Sequence, residues 1–185
     1  MELKIVSENG LKQALIGMKF SFQEECEISK IQQTAEDINK HMKTAIKLCR
    51  RDHGHNKFLE QIQVHIVVRA TLDFWKQIDT YRVGTSKLSK STMHTIMRSP
   101  LNPELFHNKV DQKILDVVEG YRLAGDFDGV SKNLPQGFLQ TRMINTNYKV
   151  LRNIIIQRKE HKLPEWEQFI DCILNQLQNA ELIGV

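Results

Sequence analysis

The chain has 185 residues, 41% of them hydrophobic, with 26 basic and 22 acidic side chains and a formal charge of +4. That length supports one core burying roughly two-thirds of the unfolded surface, and the small basic excess falls short of the dense cationic face that duplex nucleic acid requires. Cys26, Cys49 and Cys172 form no CxxC pair and are odd in number, which argues against a disulfide framework or a cysteine zinc site and predicts a reducing, cytoplasmic setting.

"LKIV" near the start predicts a short strand, followed by a helix with Leu11, Ala14, Leu15 and Met18 on one face and Ser7 or Asn9 as its cap. "TAEDINKHMKTAIKLCRRDHGH" predicts a second helix. Thr34 is its expected cap, Ile38, Met42, Ala45, Ile46 and Cys49 form its apolar face, and it ends in a basic turn before Gly54. "QIQVHIVVRA" alternates Ile62, Val64, Ile66 and Val68 with Gln61, Gln63 and His65, the period of a half-buried strand. "TLDFWKQIDTYR" returns to helical spacing.

From Thr80 to Thr95 the sequence is dense in hydroxyls and bases, which fits either a solvated loop or the lining of an anion pocket. "RSPLNPELFHN" reads as a turn with a short helical piece, and "KVDQKILDVVEGYRLA" as a helix with Val110, Ile114, Val117, Val118 and Tyr121 on its stripe, closed by "GDFDGV". "LPQGFLQTRMINTNYKVLRNIIIQRKEHK" reads as one long polar helix that gathers Asn145, Asn147, Lys149, Arg152, Asn153, Gln157 and Arg158. Asparagine is a poor helix former and expensive to bury unpaired, so this helix is expected to face a ligand or another subunit. "LPEWEQFIDCILNQLQNAELI" predicts a last helix, with Pro164 in its first turn and Trp166, Phe169, Ile170, Ile173, Leu174 and Leu177 inward. The sum is one α+β domain over residues 1–185, helix-rich with a small sheet.

Motifs for a P-loop, a dinucleotide fingerprint and a zincin are absent. His53 and His55 make a loop HxH without a carboxylate at ligand spacing, so no metal site is expected.

The order of "HNKFLE" from His55, "VHIVVRATLDFWKQIDTYRVGTS" to Ser86, and "NTNYKVLRNIIIQRKEHKLPEWEQF" from Asn145 resembles the flavin-dependent thymidylate synthases (ThyX) over most of residues 53 to 170. The resemblance implies a ThyX-like fold, a homotetramer, FAD as cofactor, a folate one-carbon donor, and dUMP, a pyrimidine deoxynucleotide, as substrate. It places His55, Asn147 and Asn153 as cofactor contacts. Gln77, Arg82, Thr85, Ser86, Ser89, Ser91 and Arg158 become nucleotide contacts, with Arg158 central to activity. The signature RHRxxSxNExSxR is altered: Thr80 and Tyr81 replace its leading Arg-His, Lys87 and Leu88 its Asn-Glu. Those losses predict weaker FAD than nucleotide binding. They also leave two functional readings open: flavin-dependent methylation or a related C5 modification, or a noncatalytic nucleotide-binding or regulatory protein of the same fold.

Overall fold

The computed structural model describes residues 1–22, 28, 31, 35–51 and 53–185. Its centre is an antiparallel sheet of four strands, β1 (Glu2–Asn9), β2 (Gln63–Thr71), β3 (Ser86–Ser89) and β4 (Leu139–Asn147), in the order β1-β2-β4-β3. The alternation expected in β2 holds. Val64, Ile66, Val68 and Ala70 are buried, while Gln63, His65, Val67 and Arg69 reach the other, half-exposed face. β1 runs beside β2 with Leu3 opposite Val68 and Ile5 opposite Ile66, and a bulge at the exposed Val6 shifts the register before Ser7 pairs with His65.

The helices α1 (Leu11–Lys19), α2 (Ala35–Cys49), α3 (Leu72–Ile78), α7 (Tyr148–Arg158) and α8 (Pro164–Gln176) supply most of the main core. Phe74, Trp166 and Phe169 form its aromatic centre, with Phe74 and Trp166 centroids 4.8 Å apart. α8 turns inward as its pattern predicted, and its buried Glu165 accepts from the Thr71 amide at 3.2 Å and the Thr71 hydroxyl at 2.7 Å. This carboxylate therefore fixes the β2–α3 junction, where Thr71 also caps α3 through Phe74. A second apolar cluster, Ile96, Phe106, Leu115, Val118, Val130 and Phe138, lies under α4 (Thr92–Thr95), α5 (Gln112–Leu123) and α6 (Phe127–Asn133).

Several sequence expectations change. Residues 139–158 are not one helix: Leu139–Asn147 is a strand lying between β2 and β3, and the helix begins only at Tyr148. Asn145 and Asn147 thus belong to the sheet. The polar segment after α3 contributes β3, with Ser86 opposite Asn145 and Ser89 opposite Arg142. Gly10, at φ +97, occupies the cap position of α1, and neither Ser7 nor Asn9 caps it. α5 buries Leu115 and Val118 and leaves Ile114, Val117 and Tyr121 largely outward, because the second cluster approaches from the Leu115 side. "GDFDGV" starts helix α6, capped by Asp126 at the Gly129 amide. Thr34 and Cys26 lie outside the described residues.

Candidate functional site

The junction between β4 and α7 carries the first candidate site. Asn147 ends the strand and caps the helix, its Oδ1 accepting from the Val150 amide at 3.0 Å, so its Nδ2 stays available beside the α3–β3 loop. That loop is tied down from both sides. Thr85 Oγ1 meets the buried Thr146 hydroxyl at 3.2 Å, and Thr146 also donates to the Gly84 carbonyl at 3.2 Å. Gly84 has φ +66, and a Cβ there would come within 3.0 Å of Asn147 Nδ2 and of Val150 Cγ2, so the turn requires glycine. On its other flank, Lys87 Nζ donates to the Tyr81 carbonyl at 3.3 Å and pairs with Asp79, which also holds Arg142 at 2.9 Å.

Between loop and helix lies a cavity of about 410 Å³. Arg82, Asn147 and Asn153, three of the sequence candidates, line it together with Tyr81, Lys149 and Gln157. Two cations face one carboxylate, Glu60, and Lys149 Nζ is anchored on the Oδ1 of the fully buried Asn56. Amides and cations in this combination can hydrogen-bond a heterocycle edge and hold a phosphate. Among the described residues the lining offers no cysteine, serine or histidine as a nucleophile, and no group of three or more His, Cys, Asp or Glu could hold a metal ion.

Arg158, half-buried, stands just behind this cavity. Its Nε donates to the Tyr81 hydroxyl at 2.8 Å, and its guanidinium lies 4.9 Å from the Trp166 ring centroid and 5.5 Å from that of Tyr81. Tyr81 in turn donates to Gln157 Oε1 at 3.0 Å. Gln77 sits on the far side of the same group, accepting from Trp166 Nε1 at 2.7 Å. The tyrosine that breaks the signature pattern is therefore the residue that connects Arg158 to the cavity wall.

The remaining candidates lie elsewhere. Thr85 is engaged with Thr146 behind the loop, and Ser86, Ser89 and Ser91 are exposed along and after β3. His55 lines a separate cavity of about 430 Å³, against α1 with Lys57 and Phe58. Lys149 and Gln157 belong to the polar group read on the long helix but have no contact role there, and Tyr81 enters the sequence reading only as a departure from the signature. Lys149 and Gln157 stand four positions before and after Asn153 in sequence, but only the strand–helix boundary at Asn147 turns them toward the loop.

No family model matches the sequence, and no curated protein matches it. Solved structures do. The flavin-dependent thymidylate synthase ThyX from Helicobacter pylori, complexed with FAD and dUMP, superposes with a TM-score of 0.78 at 14% identity, covering 100% of this chain and 97% of that one. A second crystal structure of that enzyme with FAD and dUMP gives 0.77 at 15% identity, over 100% and 96%. The UMP/dUMP methylase PolB from Streptomyces cacaoi, bound with 5-Br dUMP, gives 0.71 at 11% identity, over 98% and 93%. The α+β fold with its small four-stranded sheet is therefore ThyX-like along the whole chain.

Proposed function

We propose that this protein binds dUMP and a flavin and carries out flavin-dependent methylation, or a related modification, at C5 of the pyrimidine. The observation that carries the reading is the cavity that gathers Arg82, Asn147 and Asn153 on this fold. In it, Arg82 and Lys149 hold phosphate and Asn147 and Asn153 face the edge of the flavin ring, while Arg158, behind the Tyr81 wall and steadied by its hydroxyl, binds the nucleotide's base or phosphate. Gln77 acts through Trp166, whose ring centroid lies 4.9 Å from the Arg158 guanidinium.

The residues fit FAD in kind, with cations for its phosphates and amides for its ring. At about 410 Å³ the cavity falls in the lower part of the ~300–1,000 Å³ range of ligand pockets. It receives one end of the dinucleotide, and the rest extends toward a neighbouring copy in a homotetramer. Reduced flavin supplies hydride when bound, and a folate is the one-carbon donor. The chain's own work is to bind, orient and exclude water. No helix among the described residues is long and apolar enough to cross a membrane, and the proposed setting is the cytoplasm.

A noncatalytic nucleotide-binding role is the second reading. It is favoured by Tyr81, whose hydroxyl is already occupied by Arg158 and Gln157, and by Leu88, 73% exposed, where the ThyX signature has a glutamate. Calorimetric titration with dUMP and with FAD, followed by an assay for dTMP formation with reduced flavin and methylene-tetrahydrofolate, separates the readings. The expected result is saturable dUMP binding, weaker FAD binding and measurable turnover. Binding without turnover selects the second reading, and binding of neither ligand overturns both.

A further inference from the structure

Charge is not spread evenly over this chain. Residues 38–51 hold five cations, Lys40, Lys43, Lys47, Arg50 and Arg51, and no acid, which leaves 21 bases against 22 acids elsewhere. The net charge of +4 therefore arises in α2 and the two residues that follow it. Spaced three and four residues apart, the five side chains fall within an arc of about 100° and form a row roughly 15 Å long. All five are exposed, because Ala45 and Cys49 turn the opposite side of the helix into the main core.

None of the five stands in an ion pair among the described residues. Attraction to the negative end of the helix accounts for Lys47, Arg50 and Arg51, but it fades beyond the last turn and leaves Lys40 and Lys43 unexplained. Like charges at this spacing repel, so the row weakens the helix that carries it unless an anion lies along it.

The surroundings of the row narrow the kind of anion. No large exposed hydrophobic side chain lies between residues 38 and 51. The surface thus has neither an apolar face to enter a bilayer nor an anchor of the kind on which protein interfaces depend. Bare cations in a row suit a phosphodiester backbone, which is held mostly by charge. A flexible single strand can follow a straight row, whereas a duplex curves its phosphates away and demands a broader cationic face.

We infer that α2 presents a binding surface for single-stranded nucleic acid, electrostatic and indifferent to base sequence. None of the five cations lines the cavity at the α3–β3 loop, so this surface stands or falls apart from the enzyme reading.

A short fluorescein-labelled oligo-dT is the probe, titrated with the full chain by fluorescence anisotropy in the presence of excess dUMP, which keeps the strand's nucleotides out of the loop–helix site. Saturable binding is expected. The logarithm of the association constant should fall by about 2–3.5 per decade of salt, as about three to five neutralised phosphates require. Lys40→Gln, Lys43→Gln and Lys47→Gln together should weaken binding at least about tenfold at about 50 mM salt and reduce that slope by about 2, with dUMP affinity unchanged. Circular dichroism melts confirm that the triple variant is folded. If it is not, the single variants, each at an exposed side chain, replace it, each with about a third of the slope change. Any of three results overturns the inference: no saturable binding, binding that the lysine variants leave unchanged, or equal or tighter binding of duplex DNA or of an oligoglutamate of matched charge.

Discussion

Removing the Tyr81 hydroxyl, by Tyr81→Phe, tests whether Arg158 is a positioned ligand group or a surface cation. The hydroxyl accepts from Arg158 Nε at 2.8 Å and donates to Gln157 Oε1 at 3.0 Å. Phenylalanine keeps the ring, so the contacts of the guanidinium with ring 81 and with Trp166, at 5.5 and 4.9 Å, survive. Only the orienting hydrogen bond is lost. A hydrogen bond to a charged group contributes about 1.5–3 kcal/mol when buried. Arg158 is half-buried and keeps its aromatic seat, so about 1 kcal/mol is expected, a factor of roughly 5 in the dUMP dissociation constant. Arg158→Ala removes the whole contact and should weaken dUMP by about 1.5–3 kcal/mol, roughly 10- to 150-fold. Arg158→Lys should fall between them, because an ammonium cannot satisfy Tyr81 and the ligand with one planar fork. Isothermal calorimetry at two salt concentrations measures all three, and urea unfolding confirms that each variant remains folded. An unchanged dissociation constant in Arg158→Ala removes the residue from the site. Weakening in Arg158→Ala with none in Tyr81→Phe shows that Arg158 acts without its tyrosine anchor and refutes the positioning role.

Two further outcomes concern the scaffold that carries the site. Glu165→Ala leaves the buried Thr71 amide and hydroxyl without their acceptor and should lower stability by about 2–3 kcal/mol in urea unfolding, Glu165→Gln by less, and a loss below about 0.5 kcal/mol would contradict that role. Burial, with Glu8 beside it, raises the Tyr148 phenol above its ordinary 10.0. The native state therefore keeps a proton that the unfolded chain has lost, and stability falls as pH rises through 10.0. Buried Cys49, raised above 9.0 chiefly by desolvation, adds the same sign one step earlier. Comparing the wild type with Tyr148→Phe isolates the tyrosine: the variant should lose part of the alkaline slope above pH 10, and an identical slope would mean that Tyr148 does not titrate differently on folding.

Where local pattern and final environment coincide, the chain's elements are legible from residues alone. β2 alternates because one face meets helices and the other does not, and α8 shows its buried face at helical spacing from Trp166 to Leu177. The order of motifs around Asn147, Asn153 and Arg158 likewise pointed to the fold that the superposition shows. What local pattern could not supply was partnership. Phe138, Leu139, Met143 and Ile144 satisfy a helical spacing as readily as a strand, and Leu139–Asn147 becomes a strand because β2 and β3 flank it and take up its amides and carbonyls along both edges. The same tertiary choice moves Asn147 from a helix face to a helix cap, and so turns its Nδ2, Lys149 and Asn153 toward the Gly84 loop. Likewise the inward side of α5 kept the expected Val118 but took Leu115 in place of Ile114 and Val117, because Phe106, Val130 and Phe138, distant in sequence, pack there. Period and capping are properties of a few adjacent residues, whereas a strand's neighbours and a helix's buried side are set by segments tens of residues away, whose approach only the folded chain determines.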